Sequence, residues 1–460
     1  MQWNPQGAAA DELVFVSGHP GRTDRLNTMD ALKFQRDVRA PYVLNMLRRM
    51  EIMLQQYSQD GEEQARIAKE DLFGVQNSRK AYLGQLGGLQ DPGIMARKGA
   101  AEKALRDRVN ADPRMKQAYG SAWDKIAAAK KVHQANLVRS ALLEQGRGFG
   151  GALFPIARTL VRLAAENGKP NTARLPEYSD AGRSSLELQL YSTAPIYPDL
   201  ELAKLTDSLG YLAEQLGADD PLVQQVLAGK GPAARAAELL AGTKLKDVEE
   251  RKKLAAGGQG AIDASTDTLI QLAKLVDPAA RAVREVMEKQ VTEVERQAYA
   301  QISKALFEIE GPSRYPDATF TLRLSYGVVK GYTSQGKTIP ATTSLGGIFE
   351  RSAEMEGRPP FDLPERWLKK RRSIQASVPF NFVSTHDIIG GNSGSPVVNR
   401  NGEFVGIIFD GNIESLVLGF AYEETQARAL SVHSAGILES LRSVYGAKSL
   451  VDELLAGARR

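Results

Sequence analysis

Residues 391–396 read Gly-Asn-Ser-Gly-Ser-Pro and run directly into Val397 and Val398. A serine hydroxyl held between glycines on a tight turn is suited to attack a carbonyl carbon. Gly391 and Gly394 lack a Cβ, so the backbone can turn sharply enough for the Gly391 and Ser393 amides to aim at one developing oxyanion. Such a serine still needs a base to take its proton, usually a histidine. Gly/Ser turns of this composition also occur with no chemistry attached. The order of the six residues, set just before a strand-like pair of valines, favours the nucleophile.

The chain contains four histidines. His133 shares a helical face with Ile126 and Leu137, which predicts a hydrogen-bonded core or boundary histidine. His19 sits in the turn Gly18-His19-Pro20-Gly21, where support of the turn is the expected role. His386 and Asp387 lie shortly before Ser393. A base must come within about 2.6–3.2 Å of Oγ, and so near an upstream neighbour seldom can. His433, near the end of the strand-rich region, reads as a surface or strand residue. None of the four stands out as the base.

Other motifs are weaker. Gly146-Arg147-Gly148-Phe149-Gly150-Gly151 matches Gly-x-Gly-x-x-Gly, but it follows a helix rather than a strand, so a dinucleotide site fails its own context test. No residues have metal-ligand spacing, and the chain has no cysteine. No metal, cofactor, disulfide or thiol nucleophile is therefore expected. Phe409-Asp410-Gly411-Asn412 follows the serine closely. A carboxylate at Asp410 could hold a positive group of a substrate, and Gly411 would leave a pocket open. By composition alone the same residues read as an Asp-Gly turn ending a hairpin.

These residues need a scaffold, and the hydrophobic period supplies one. Leu13–Ser17 has a buried-strand pattern, and a lone strand forms no sheet, so its partners lie far along the chain or are missing. From about Thr28 to Glu310 the period is helical. Segments around 43–57, 65–86, 123–143, 154–166, 200–217, 264–275 and 278–309 form the helices, with breaks at Asp91-Pro92-Gly93, Gly146–Gly151, Pro195–Pro198 and Gly257–Gly260. At Gly311-Pro312 the period changes to two. Phe320, Leu322, Leu324, Tyr326 and Val328 alternate with polar residues as a half-buried strand would, and 378–383 reads as another strand. Asn401-Gly402 between Val397-Val398 and Phe404–Phe409 predicts a hairpin with a type I′ turn. Glu439–Leu455 reads as a closing amphipathic helix. Helices followed by strands indicate an α+β chain or separate domains.

At 460 residues the chain is long enough for two or three domains. Its 42% hydrophobic and 25% charged content is that of a soluble globular protein. The net charge of +4 is small for this length and gives no reason to expect nucleic acid as a partner. No apolar run approaches the roughly 18 residues of a membrane span, so no membrane partner is expected. The N-terminus shows no basic segment leading into an apolar core, hence no signal peptide in this chain.

The chain resembles the family-46 serine peptidases, the bacterial dipeptidyl peptidases of the type 7 and type 11 group. The matching stretches are Leu13–Gly21, Phe73-Gly74-Val75-Gln76-Asn77-Ser78, Tyr315–Tyr332, Gly390–Val398 and Phe409–Ser415, in the family's order. The resemblance implies a chymotrypsin-like double β-barrel with a large α-helical cap domain inserted over the cleft. On that reading 1–26 is a C-terminal remnant of the first barrel, 27–312 the cap, 313–436 the second barrel and 437–460 a final helix.

Ser393 would be the nucleophile, with Gly391 and Ser393 supplying oxyanion amides. Asn77 and Asp410 would bind the free α-ammonium of a peptide. An amine anchor about two residues, roughly 7 Å, from the serine would measure off one dipeptide per cut. Gly411 occupies the position that separates the subfamilies, where glycine suggests the type 7 group and an apolar P1 preference. His386 and His433 depart from the family's usual Asn and Asp. The triad His and Asp are expected upstream of Met1, with the family's secretion signal, so the chain reads as roughly the last two thirds of the enzyme, inactive alone. A periplasmic or secreted location and a homodimer are further expectations of the resemblance.

Two alternatives remain open at this point. Asp387, six residues before Ser393, stands where trypsin-like endopeptidases select Lys or Arg. A catalytically dead binding or scaffold chain on a peptidase fold would explain the missing base.

Overall fold

Leu13–Gly18 does find its partners, and both lie far along the chain. The computed structural model describes residues 2–313 and 316–457, so Tyr315, at the start of one matched stretch, lies outside them. Its strands are β1 (Gln2–Trp3), β2 (Leu13–Gly18), β3 (Arg323–Val328), β4 (Tyr332–Ser334), β5 (Lys337–Ile339), β6 (Thr342–Ser344), β7 (Pro379–Ser384), β8 (Pro396–Asn399), β9 (Glu403–Gly411) and β10 (Ala429–His433). By contacts the chain forms two units, one of residues 1–32, 81–108 and 303–460, the other of 33–80 and 109–302. The 27–312 stretch is thus divided between the two units.

In the first unit one sheet has the order β3-β2-β8-β9-β10-β7-β6, with β1 pairing β9. β2 lies antiparallel between β3 and β8, the strand that follows Ser393. Residues 13–18 thus belong to the sheet that carries the nucleophile candidate, not to a separate barrel. The bridge Val329–Ser384, with Thr385 N donating to Val328 O at 3.0 Å and Lys330 N to Val383 O at 3.1 Å, joins β3 to β7. The six strands β3, β2, β8, β9, β10 and β7 close into a barrel, which leaves them no free edge along that seam.

The barrel core contains Val14, Val16, Val329, Phe382, Val397, Val405 and Ile408. The β3 stripe does not join it. Phe320, Leu322, Leu324 and Tyr326 are 64–69% exposed. The opposite phase is forced by Gly327, where an added Cβ would sit 2.5 Å from the His386 amide nitrogen. The backbone at 385–386 presses on that face, so the apolar set points outward.

The β8–β9 hairpin forms as predicted, though its turn differs. Gly402 has φ +75° while Asn401 is not left-handed, and Gly402 N donates to Asn399 O at 3.0 Å. The Asn399 side chain also accepts from the amides of Asn401 and Glu403, both at 3.0 Å. This is a right-handed turn closed by a glycine rather than a type I′ turn. The closing helix is broken as well. Ser434–Glu439 and Lys448–Ala456 are separate helices, with Gly446 at φ +67° between them.

The second unit is helical, around a core that includes Leu142, Phe149, Phe154, Leu209, Ile270 and Val276. Ala40–Gln59, Leu153–Asn167 and Pro198–Leu216 match the predicted segments. The helix Thr268–Val286 runs through Pro278 rather than ending there, and the Gly257–Gly260 break is a kink at Gly258, φ +56°, within Val248–Ala264. Ions lie in this interior. Arg162 donates to Asp277 at 2.5 Å and, through both terminal nitrogens, to Glu144 at 2.9 and 2.6 Å. Arg281 joins Asp277 to Glu166, which is fully buried.

Candidate active site

Ser393 lies on the loop between β7 and β8, exposed at its tip. Gly391 and Gly394 have φ of +107° and +88°, the left-handed region where a Cβ is strained. At Gly391 there is no room either, since a Cβ would lie 2.3 Å from His19 O. The loop is tied down around the serine. Asn392 N donates to Ile389 O at 3.2 Å, Ser395 N to Asn392 O at 3.0 Å, and Gly394 N to Ile408 O at 2.8 Å. Among the described residues the Gly391 and Ser393 amides have no hydrogen-bond acceptor. These are the two donors expected for the oxyanion.

The turn 18–21 packs against this loop. Gly21 N donates to Gly390 O at 2.7 Å. A Cβ at Gly18 would come 2.4 Å from the Asn392 side-chain oxygen and 2.8 Å from Ser395 Oγ. Both glycines are spacers that let the turn approach, the support expected of it. His19 itself is exposed, its ring 6.1 Å from Phe320.

Ser393 Oγ donates to Phe409 O at 3.1 Å, a partner that sequence reasoning missed. The carbonyl faces the serine through a slip in the ladder, because Leu430 pairs with Asp410 and Ser431 with Ile408. Phe409 is the extra residue, and a bulge of this kind re-aims the backbone on either side. Asp410 and Gly411 follow on the same strand. Asp410 is exposed and its Oδ1 accepts from Gly411 N at 2.9 Å. Gly411 does not open a pocket. An added Cβ would lie 2.2 Å from Ser415 Oγ, and buried Ser415 is itself fixed to Asn412 O at 2.7 Å. The missing side chain makes room for Ser415. Asn77 is exposed on the helix Glu62–Gln90, in the helical unit. The structure thus brings Gly391, Ser393, Asp410 and Gly411 together in the barrel unit and places Asn77 in the other.

None of the four histidines is bonded to Ser393. His386 is buried, its Nδ1 2.7 Å from Ser384 Oγ. Burial pushes its pKa down to about 4, while the Val14 backbone works the other way. His433 is a strand residue but not a surface one. It is 1% exposed, its Nε2 lies 3.1 Å from Ala8 O, and its Nδ1 caps the next helix by accepting from Ala435 N at 3.2 Å. The His133 ring lies tilted against Phe34 with centroids 4.6 Å apart, and among the described residues its buried Nδ1 has no partner, contrary to the hydrogen-bonded histidine expected. Burial lowers its pKa to about 4.

Asp387 is already neutralised. Arg25 grips both its oxygens at 2.6 Å, donates through Nε to Leu418 O at 2.9 Å, and leaves no free carboxylate to select a basic side chain. The Gly146–Gly151 motif is structural too. The Glu201 carboxylate occupies the helix start, accepting from Ala152 N and Leu153 N at 2.8–3.0 Å, where a phosphate would have to bind. Among the described residues no acidic or histidine cluster could hold a metal.

The chain is 26% identical over 501 residues to the Asp/Glu-specific dipeptidyl-peptidase of Shewanella putrefaciens, covering 99% of this chain and 66% of that protein. It is 25% identical to dipeptidyl-peptidase 7 of Porphyromonas gingivalis, over 98% of this chain and 63% of the relative. The crystal structure of Porphyromonas endodontalis DPP11 in complex with the dipeptide Arg-Glu superposes with a TM-score of 0.76 at 20% identity, covering 98% of this chain and 66% of that one, which shows a shared fold. The chain spans about two thirds of the length of these relatives. The family model for Peptidase S46 matches residues 1–456, and the chain belongs to that family.

Proposed function

We propose that the chain acts as a serine-type dipeptidyl peptidase, releasing N-terminal dipeptides from peptides. Ser393 Oγ turns away from Phe409 O, gives its proton to a general base that none of the four histidines supplies, and attacks the second peptide carbonyl, the base then passing that proton to the departing amine. The new oxyanion is received by the Gly391 and Ser393 amides, the amine product leaves, and water hydrolyses the ester on Ser393. Asp410 holds the substrate's α-ammonium and so fixes the cut at two residues. The observation that carries this reading is the pair of unbonded amides flanking an exposed serine in a member of this family.

The closed barrel supports a chymotrypsin-like double-barrel architecture. A periplasmic or secreted site of action and a homodimer fit the same reading. An apolar P1 preference rests on the resemblance alone, since the side-chain direction at Gly411 is taken by Ser415. Because none of the four histidines reaches Oγ, the 460 residues alone should turn over at least about a thousandfold more slowly than an enzyme with its base in place.

The test uses the enzyme at its full natural length with two chromogenic dipeptide substrates, one with a free amine and one N-acetylated. Cleavage of the free substrate alone, lost in Ser393→Ala, is the expected outcome. Equal cleavage of both would remove the amine anchor. The lack of a histidine at Oγ also favours a second reading, a peptide-binding chain without catalysis. Peptide binding by an enzyme of full natural length that gives no turnover would select it.

A further inference from the structure

Many cations on this chain stand beside carboxylates, as Arg49, Arg66, Arg79, Arg162 and Arg284 do. Residues 366–372 are different. They read Arg-Trp-Leu-Lys-Lys-Arg-Arg, five cations with no carboxylate among them, and form the end of the helix Glu365–Lys370 and the turn Arg371–Ser373. All five cationic residues are exposed. Among the described residues their one ion pair is Lys369 with Glu365, at 69% and 78% side-chain exposure, a pair that screens little in water. A small net charge over the whole chain conceals this concentration.

Two of the cations are held in place without being neutralised. Arg366 lies 5.4 Å over the Tyr445 ring and Arg371 5.2 Å over Phe349. Ring stacking leaves the guanidinium charge intact and reduces the freedom that binding would otherwise remove. Apolar and amphipathic side chains lie beside the cations. Leu368 is 53% exposed and Tyr445 51%, and Trp367 Nε1 donates to Tyr445 OH at 3.4 Å.

We propose that this face docks peripherally on an anionic lipid bilayer. The composition is that of an interfacial site, with cations for the headgroups, a Trp–Tyr pair for the boundary and a leucine to enter the acyl region. A single-stranded nucleic acid would need open aromatic faces for stacking, and a duplex, held by its phosphates, is an outcome of the test below. Here the Tyr445 ring is covered by Arg366, and Trp367 packs against the cluster of Leu345, Phe349 and Ile374. Each cation near an anionic leaflet strengthens binding about fivefold, and screening weakens it beyond a Debye length. With a single leucine as anchor, the attachment is reversible. It differs from insertion, for no described helix is long and apolar enough to cross a membrane.

The test is co-sedimentation of the 460-residue protein with phosphatidylcholine vesicles, with and without phosphatidylglycerol, at low and high salt. Binding that needs phosphatidylglycerol and is lost at high salt is expected. Lys369→Glu/Lys370→Glu/Arg372→Glu, which spares both ring-stacked arginines, should lower the partition coefficient at least tenfold with an unchanged melting temperature. A control, Lys116→Glu/Lys244→Glu/Lys246→Glu, makes the same change of net charge on exposed residues elsewhere and should bind as the unaltered protein does. Equal binding to neutral vesicles would overturn the proposal, as would equal losses in both triple variants. So would a tighter affinity for a DNA duplex than for the vesicles at matched salt.

Discussion

The barrel around Ser393 and the helical unit both have apolar cores but differ in the ion networks they bury. The barrel interior is apolar, valines and isoleucine around Phe382, and its tightest geometry comes from close backbone approaches at Gly18, Gly327 and Gly391. The helical unit adds buried ions to a larger apolar core. Arg162, 3% exposed, sits between Glu144 and Asp277, and fully buried Glu166 receives Lys169, Arg281 and the Leu175 amide. Apolar packing with glycine contacts fixes positions to within a few tenths of an ångström, which is what an oxyanion site requires. A buried ion network is costly to break at any one member, because each remaining charge is then stranded. Damage to the barrel loop should therefore appear first in chemistry, and damage to the helical network first in stability.

The largest effect expected is at Gly391. Alanine there would adopt φ +107° with its Cβ 2.3 Å from His19 O, so the loop must shift and move an oxyanion amide. Losing one such donor costs about 10²–10³-fold in turnover. At Gly394, φ is +88° but an added Cβ meets nothing within 4 Å, so Gly394→Ala carries only backbone strain, about 1–3 kcal/mol. Turnover numbers for the two alanine variants, at matched melting temperature, check the contrast. Equal losses would mean that steric closure on His19 does not position the amide.

Next comes Glu166→Ala, which leaves Arg281 and Lys169 without their shared carboxylate. A loss of about 3–5 kcal/mol is expected in urea unfolding followed by helical circular dichroism, with the geometry of the serine loop unchanged. The wild-type carboxyl adds a pH signature. Burial raises its pKa, but Lys169, the Leu175 amide and Arg281 more than offset that and bring it down to about 2. A depressed carboxyl stabilises above its unfolded value and loses that contribution as pH falls from about 4.5 to about 2. The variant should lack that part of the acid transition.

The same contrast explains what the sequence made legible. The serine loop shows itself because its glycines and serine are contiguous, and the helices because their apolar faces repeat every three or four residues. The barrel's closure is invisible locally, since β2 pairs with residues from 323 onward and from 397 onward. Arg25 gives no signal for the same reason, its partner Asp387 being 362 positions away. Arg162 and Asp277 are 115 apart. The β3 stripe misleads because alternation reports which residues share a face, not which face meets the core. That choice is made by Gly327 against the backbone at 386. Gly411 misleads similarly, since only the fold shows that Ser415 occupies the space its Cβ would take.

The smallest effect expected separates the two units by pH alone. His386 in the barrel and His133 in the helical unit both have pKa values lowered to about 4, chiefly by burial. A histidine whose folded pKa lies below its unfolded value of about 6.5 binds protons more readily when unfolded. Stability is therefore full above about pH 6.5 and declines as pH falls toward 4. For His386, which is 2% exposed, the share lost by about pH 5 is about 2 kcal/mol. His386→Asn keeps a polar partner for Ser384 Oγ and removes the titration. It should leave stability at neutral pH nearly unchanged while reducing the loss of exchange protection of Phe382 and Ser431 amides as pH falls from about 6.5 to 4, the remainder coming from buried His433. Amides of the helix Ala122–Arg139 should keep their dependence through His133. If the barrel amides of the variant lose as much protection over that range as those of the unaltered protein, buried His386 is not what limits the barrel in acid.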